Sequence, residues 1–216
     1  MVKAIVFDCD GVILDSEPLF TKAFEAQKAS YGFPIHMHDK AEVIGTTLRE
    51  TCRIILEKNP RIDKTLDEFL EEHIRYVYQF LMSDDLEPMD GFVDFVKEQH
   101  AKGIKMAVAS SSPMEYVLHK LRLFKVEDFF SVIVSGDDIS RSKPDPEIYE
   151  VAVKKLGLPK EEIIAIEDAY YGIRSAKAAG LYTIGFKGSV LEQDTSEADE
   201  EVYRFQDIRI LKADDH

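Results

Sequence analysis

Ala4-Ile5-Val6-Phe7-Asp8-Cys9-Asp10-Gly11 is the stretch that decides how this chain folds. Four apolar residues end abruptly on an acid, and a polar turn with a glycine follows. A short apolar run bounded this way predicts a strand buried on both faces of a parallel sheet. Asp8 and Asp10 stand two residues apart at its end, a spacing that points both carboxylates the same way. Two such carboxylates alone would repel, and one pKa would rise. A lone Asp-x-Asp is more often a turn former or a helix cap, so the rest of the chain has to decide.

Working outward, the next segment carries a different texture. Ser16 to Gly32 predicts a helix, with Ser16 as N-cap, Pro18 in the first turn and Gly32 as the stop. Helical patterning continues to about Asp85. Leu48, Ile55 and Leu56 share one face, then Phe69, Ile74, Val77 and Phe80–Leu81 another, with breaks at Asn59-Pro60 and Asp84-Asp85. After Pro88 strand and helix alternate. Strands are expected at Lys105–Ala109, Ser131–Ser135, Ile163–Ile166 and Leu181–Phe186. Helices are expected at Phe92–His100, from Asp145-Pro146 to Gly157, and at Gly172–Ala179. Another opens at Ser112, where Ser112 and Glu115 have capping-box spacing around Pro113. The pattern is that of an α/β fold: a Rossmann-like parallel sheet with helices on both faces and an all-helical domain inserted after its first strand. The expected division is a core of residues 1–15 and 87–216 and a helical domain of residues 16–86. The acidic stretch Glu197 to Glu201 reads as a solvated loop, and Lys212 to His216 as a frayed end.

Charge narrows the partners. Asp and Glu number 41 against 27 Lys and Arg, a net charge of −14. Such a surface repels nucleic acid and anionic membranes, so neither is expected as a partner. No run approaches the ~20 apolar residues of a membrane helix. Cys9 and Cys52 lie in no CxxC pattern, which argues against a disulfide scaffold or a zinc site. Met1-Val2-Lys3 leads straight into the first strand without the long apolar stretch of a signal peptide. A monomer in a reducing, cytoplasmic compartment is the expectation. An acidic protein that handles phosphate needs a cation or a few well-placed donors.

Those donors stand where an open α/β sheet binds ligands, beyond the carboxyl ends of its strands. Ser110 ends the second strand and Glu167-Asp168 the fourth. Ser142-Lys143-Pro144 lies in the loop after the third. Gathering Asp8, Asp10, Glu167 and Asp168 calls for a hard divalent cation with oxygen ligands, and Mg²⁺ is usual beside phosphate.

Taken together, these elements resemble the haloacid dehalogenase superfamily, and within it the β-phosphoglucomutase-like phosphatases. The residues that carry the resemblance are Phe7-Asp8-Cys9-Asp10-Gly11-Val12 with Asp15-Ser16-Glu17, Ala109-Ser110, Ser142-Lys143-Pro144-Asp145-Pro146, and Ile166-Glu167-Asp168 with Gly172. All the family's motifs occur in order over nearly the whole chain. The resemblance implies that Asp8 is the nucleophile, forming an aspartyl-phosphate, and that Asp10 is the acid and base. It implies Mg²⁺ on the Asp8 carboxylate, the Asp10 backbone carbonyl and Asp168, with Glu167 helping directly or through water. Ser110 and Lys143 would hold the phosphoryl oxygens. The helical insertion resembles the family's cap, with Gly45 and Arg49 as candidate substrate-facing residues. An exposed helix Arg paired with a Glu is an equal reading of Arg49.

The implied activity is Mg²⁺-dependent hydrolysis of a small phosphorylated metabolite such as a sugar phosphate. The alternative is a β-phosphoglucomutase. Phe20 weakens it, because many members, the mutases included, carry a His there in the first cap helix. Ala169 replaces a frequent Ser after the Glu-Asp pair. Asp10 argues against dehalogenation, and an intact set of motifs argues against a non-catalytic binding protein. Cys9 reads as packing, His36 and His38 as a solvated loop, and Tyr170-Tyr171 as one site-lining and one packing residue.

Overall fold

A computed structural model describes residues 1–36, 48–190 and 193–210, with the side chains of Glu17 and Phe20 left aside. Gly45, His38 and the Lys212 to His216 segment lie outside the described residues. β1 (Ala4–Phe7) pairs in parallel with β2 (Lys105–Ala109) on one side and with β4 (Ile163–Glu167) on the other. β3 (Phe130–Val134), β5 (Tyr182–Phe186) and β6 (Glu200–Val202) complete a sheet of order β3-β2-β1-β4-β5-β6, every pair parallel. The chain builds outward from β1 in one direction through β2 and β3, then returns to β4 and builds in the other. That reversal beside β1 opens the crevice in which such sheets take ligands.

Every residue of β1 is buried, as its unbroken apolar run requires. Alternation sends its side chains to two helix layers. Ala4 and Val6 pack with Ala107, Ala109 and Ala165 against Tyr149, Ala152 and Leu156 of a helix at Glu147–Leu156. Phe7 meets the opposite layer, edge-on to Phe92 and Phe95 at 5.8 and 6.2 Å.

In chain order the helices are α1 (Glu17–Ser30), α2 (Leu48–Lys58), α3 (Leu66–Leu81), α4 (Phe92–Ala101), α5 (Met114–Leu123), α6 (Glu147–Leu156) and α7 (Tyr170–Ala178). The chain divides into two compact units, Met1–Glu17 with Asp84–His216, and Pro18–Ser83. The second unit is helical and has its own core of Ile35, Cys52, Ile55, Ile62 and Phe69. Thr65 and Glu68 close a capping box at the start of α3: the Glu68 N–H donates to Thr65 Oγ1 and the Thr65 N–H to Glu68 Oε2. No helix among the described residues is long and apolar enough to cross a membrane.

Three expectations need correction. The Glu197 to Glu201 stretch is not wholly loop, because Glu200–Val202 forms β6 beside β5. An edge strand needs only one buried anchor, here Val202, and exposed charges such as Glu200 and Glu201 discourage further pairing. Acidic composition therefore hid a strand. Ser112 does not cap α5, which begins at Met114. The Met114 N–H donates instead to Asp137 Oδ2 at 2.8 Å, while the Ser112 hydroxyl serves a carboxylate, Asp10, as the stronger charge-assisted partner. On α3, Ile74 is 46% exposed and His73 takes the buried place. Phe69, His73, Val77 and Leu81 repeat every fourth residue, whereas position 74 falls well round the helix from Phe69.

Candidate active site

The site residues emerge directly from the sheet register. Phe7 aligns with Val108 on β2 and with Ile166 on β4. The next residue of β1 is Asp8, whose N–H still donates to the Ile166 carbonyl at 2.9 Å. Its neighbours across the sheet end are Ala109 with Ser110 and Glu167 with Asp168. One end of three adjacent strands thus delivers Asp8, Ser110, Glu167 and Asp168, all buried.

Lys143 arrives from the loop after β3. Its ammonium donates to Asp8 Oδ1 at 2.5 Å, to Glu167 Oε1 at 2.6 Å and to the Ala109 carbonyl at 3.1 Å. Glu167 is further held by the Tyr149 hydroxyl at 2.9 Å on Oε1, and by the N–H groups of Asp168 and Ala169 on Oε2. Each of its carboxylate oxygens thus accepts two hydrogen bonds from the protein. Ser110 Oγ accepts the Ser112 N–H at 3.1 Å.

Asp8, Glu167 and Asp168 each offer a carboxylate oxygen, and these oxygens lie within 4.8 Å of one another. Burial pushes the Asp8 carboxyl up to about 7; the Lys143 ammonium opposes this, and Glu167 and Asp10 add to it. Burial, then the charges of Glu167 and Asp8, raises Asp168 well above the usual carboxylate range. Burial works against the Lys143 ammonium, but Asp8 and Glu167 outweigh it and hold the group firmly protonated. With all three carboxylates ionised, the single ammonium would leave an excess of negative charge, and a cation would offset it. An all-oxygen, hard donor set of this kind fits Mg²⁺. Two glycines keep the space open. A Cβ on Gly11, at φ +86°, would lie 1.9 Å from Asp168 Oδ2, and one on Gly172 1.9 Å from Glu167 Oε1.

Asp10 has other partners than Asp8. The chain turns at Gly11, with the Ile13 N–H closing on the Cys9 carbonyl at 2.8 Å, so strand alternation ends before Asp10. Its carboxylate accepts the Tyr116 hydroxyl on Oδ1 at 2.7 Å and the Ser112 hydroxyl on Oδ2 at 2.8 Å, and it is not one of the three whose oxygens lie within 4.8 Å of one another. Sequence reasoning passed over Ser112 as a cap and did not single out Tyr116 or Tyr149. Both tyrosines reach their carboxylates only through tertiary packing, and no local spacing signals them.

The remaining candidates sort plainly. Cys9 is fully buried, and burial with the flanking carboxylates pushes its thiol well up, which suits packing. Tyr171 is exposed; Tyr170 is half-buried under the Arg174 guanidinium, 5.5 Å from its ring centroid. In the helical unit, Arg49 pairs with Asp67 at 2.8 Å, and both side chains are largely exposed. His36 is exposed, its backbone bound at both ends by the buried Asn59 side chain.

Comparison with known proteins shows the family. The family described as haloacid dehalogenase-like hydrolase matches residues 5–186. A phosphorylated carbohydrates phosphatase of Thermotoga maritima is 33% identical over 186 residues, 85% of this chain and 84% of that protein. The pyrophosphatase PpaX of Halalkalibacterium halodurans is 30% identical over 84% of this chain and 82% of its own. The crystal structure of CbbY from Rhodobacter sphaeroides in complex with phosphate superposes with a TM-score of 0.76 at 28% identity, covering 96% of each chain.

Proposed function

Because the chain belongs to the haloacid dehalogenase-like hydrolases, we propose that it is a Mg²⁺-dependent phosphatase acting on a small phosphorylated metabolite, a phosphorylated carbohydrate first among the candidates. The observation that carries this reading is the Lys143 bridge between Asp8 and Glu167, set beside a cluster of carboxylate oxygens at the crevice end of β1 and β4. Phosphoryl transfer asks little covalent chemistry of a protein and much positioning and charge stabilisation.

In this reading a carboxylate oxygen of Asp8 attacks phosphorus and the bond from phosphorus to the ester oxygen breaks. Asp10 gives the leaving oxygen a proton. Water then attacks the aspartyl-phosphate, Asp10 takes the proton back, and inorganic phosphate leaves. Lys143 and Ser110 hold the phosphoryl oxygens. The Asp8 carboxylate, the Asp10 backbone carbonyl and Asp168 would hold Mg²⁺, with Glu167 directly or through water. Bound there, Mg²⁺ offsets the charge of the carboxylates and of the phosphoryl oxygens. Glu167, already engaged by Lys143 and Tyr149, serves chiefly to fix the lysine. The helical unit acts as the cap that selects substrate, with Arg49 and Gly45 as its candidate contacts.

The test is phosphate release with and without Mg²⁺ over sugar phosphates, pyrophosphate, nucleotides and phosphoglycolate. The β-phosphoglucomutase assay runs alongside with a bisphosphate primer. Metal-dependent release from at least one small phosphate ester supports the reading. Interconversion of glucose phosphates far faster than phosphate release would replace it with the mutase.

A further inference from the structure

Asp10 is the one reacting carboxylate of the proposed site that neither Lys143 nor the carboxylate cluster fixes. What fixes it is a pair of hydroxyls, and the two differ. Ser112 is half-buried in the turn before α5, and its Oγ can rotate. Tyr116 is on α5 itself, with its ring among the largest fully buried side chains of the protein. A buried phenol needs a polar partner, and two χ angles leave it little freedom to seek one. Its hydroxyl meets Asp10 Oδ1 at 2.7 Å across 106 residues of sequence. One turn further along α5, Lys120 is also buried, its ammonium 5.7 Å from the Tyr116 ring centroid. The ring is therefore buried on a helix, with its hydroxyl on the carboxylate.

We propose that Tyr116 is a positioning residue whose hydroxyl sets the direction of the Asp10 carboxylate. The proposal rests on the acid–base role given to Asp10 above. Direction matters because a proton moves between Asp10 and the leaving oxygen only within hydrogen-bond reach. The cost of losing it depends on the leaving group. An alkoxide, such as a sugar oxygen, needs the proton as its bond to phosphorus breaks. A p-nitrophenolate is stable enough to leave without one.

The experiment compares the full-length Tyr116→Phe protein with wild type and with Asp10→Asn. It measures kcat/KM on the best alkyl phosphate of the panel and on p-nitrophenyl phosphate, with saturating Mg²⁺. Phenylalanine keeps the packed ring and removes only the oxygen. General acid–base assistance contributes about 10²–10⁴-fold, and loss of alignment should forfeit part of it: roughly a tenfold or greater fall on the alkyl ester, and less than about threefold on the aryl ester. The thermal midpoint should stay close to wild type, and Tyr116→Phe should cost nothing further in an Asp10→Asn background. Equal losses on both esters, no loss on either, or full additivity with Asp10→Asn would overturn the proposal. Asp10→Asn separates the two levels. If it does not discriminate between the esters, the acid–base reading fails and this proposal with it. If it does and Tyr116→Phe does not, only the proposal fails.

Discussion

In the α/β unit Lys143 reaches from a loop to two buried carboxylates at the ends of β1 and β4. In the helical unit the fully buried His73 of α3 accepts no such charge. Its Nδ1 lies 2.7 Å from Gln27 Oε1, its ring stacks on Phe24 at 3.8 Å, and its Nε2 has no partner. Gln27 passes its own amide N–H to Glu72 at 2.9 Å, which fixes its oxygen toward the histidine, so Nδ1 carries the proton and the ring is neutral. Glu72 in turn accepts Lys64 at 2.5 Å and the Tyr31 hydroxyl. One unit thus gathers carboxylates that its own ammonium does not balance, the other buries an imidazole whose hydrogen bonds run through Gln27 to the half-buried Glu72–Lys64 pair. Uncompensated buried charge costs stability and marks a site for a ligand; a buried neutral imidazole tied to a side-chain amide marks structure.

The strongest way to break that contrast is to remove the lysine. Lys143→Met should lower phosphate release by about a thousandfold or more, since in the proposed reaction it deletes a donor to the transferring group, and it leaves Asp8 and Glu167 without their shared ammonium. Steady-state kinetics with the best substrate of the panel checks this, and a loss under tenfold would put the charge balance elsewhere. Gly172→Ala comes next. Its methyl would meet the Glu167 carboxylate, so it should destabilise the α/β unit by about 3 kcal/mol and reduce activity through Lys143. Chemical denaturation read beside activity would show both effects together.

The helical unit has its own signature, in pH. Burial holds the His73 pKa at about 4, below its ordinary 6.5, with Glu72 opposing. The unfolded chain therefore binds more protons between those values, and stability falls as pH drops from about 6.5 toward 4, by up to ~3 kcal/mol. His73→Phe should flatten that slope; an unchanged slope would mean His73 is not the group. The smallest effect is expected at Arg49. Its exposed pair with Asp67 is worth at most about 0.5 kcal/mol, so Arg49→Ala should leave the melting curve in place. Any change in KM would then report on substrate and not on stability.

How much of this the sequence carried depends on where each contact's partner sits. Asp8, Ser110, Glu167 and Asp168 were legible because each ends or follows a short apolar strand, and strand ends converge in a parallel sheet; Asp10 was legible by its spacing from Asp8. β1, β2, β4 and β5 were legible for the same reason. Tyr116 was not, because it meets Asp10 from 106 residues away, nor Tyr149, because a helix position gives no hint of which carboxylate it faces. β6 was lost to its acidic composition, and His73 to a helix face assigned to Ile74. Local pattern encodes elements and their ends, whereas side chains that cross between elements are set by packing alone.

In the proposed reaction Asp8 attacks phosphorus. The most direct test is Mg²⁺-dependent phosphate release by Asp8→Asn, measured on protein shown by circular dichroism and thermal melting to keep its fold. An amide cannot act as the nucleophile, so turnover should fall by at least about a thousandfold with the structure intact. Folded Asp8→Asn protein that still releases phosphate near the wild-type rate would contradict the account.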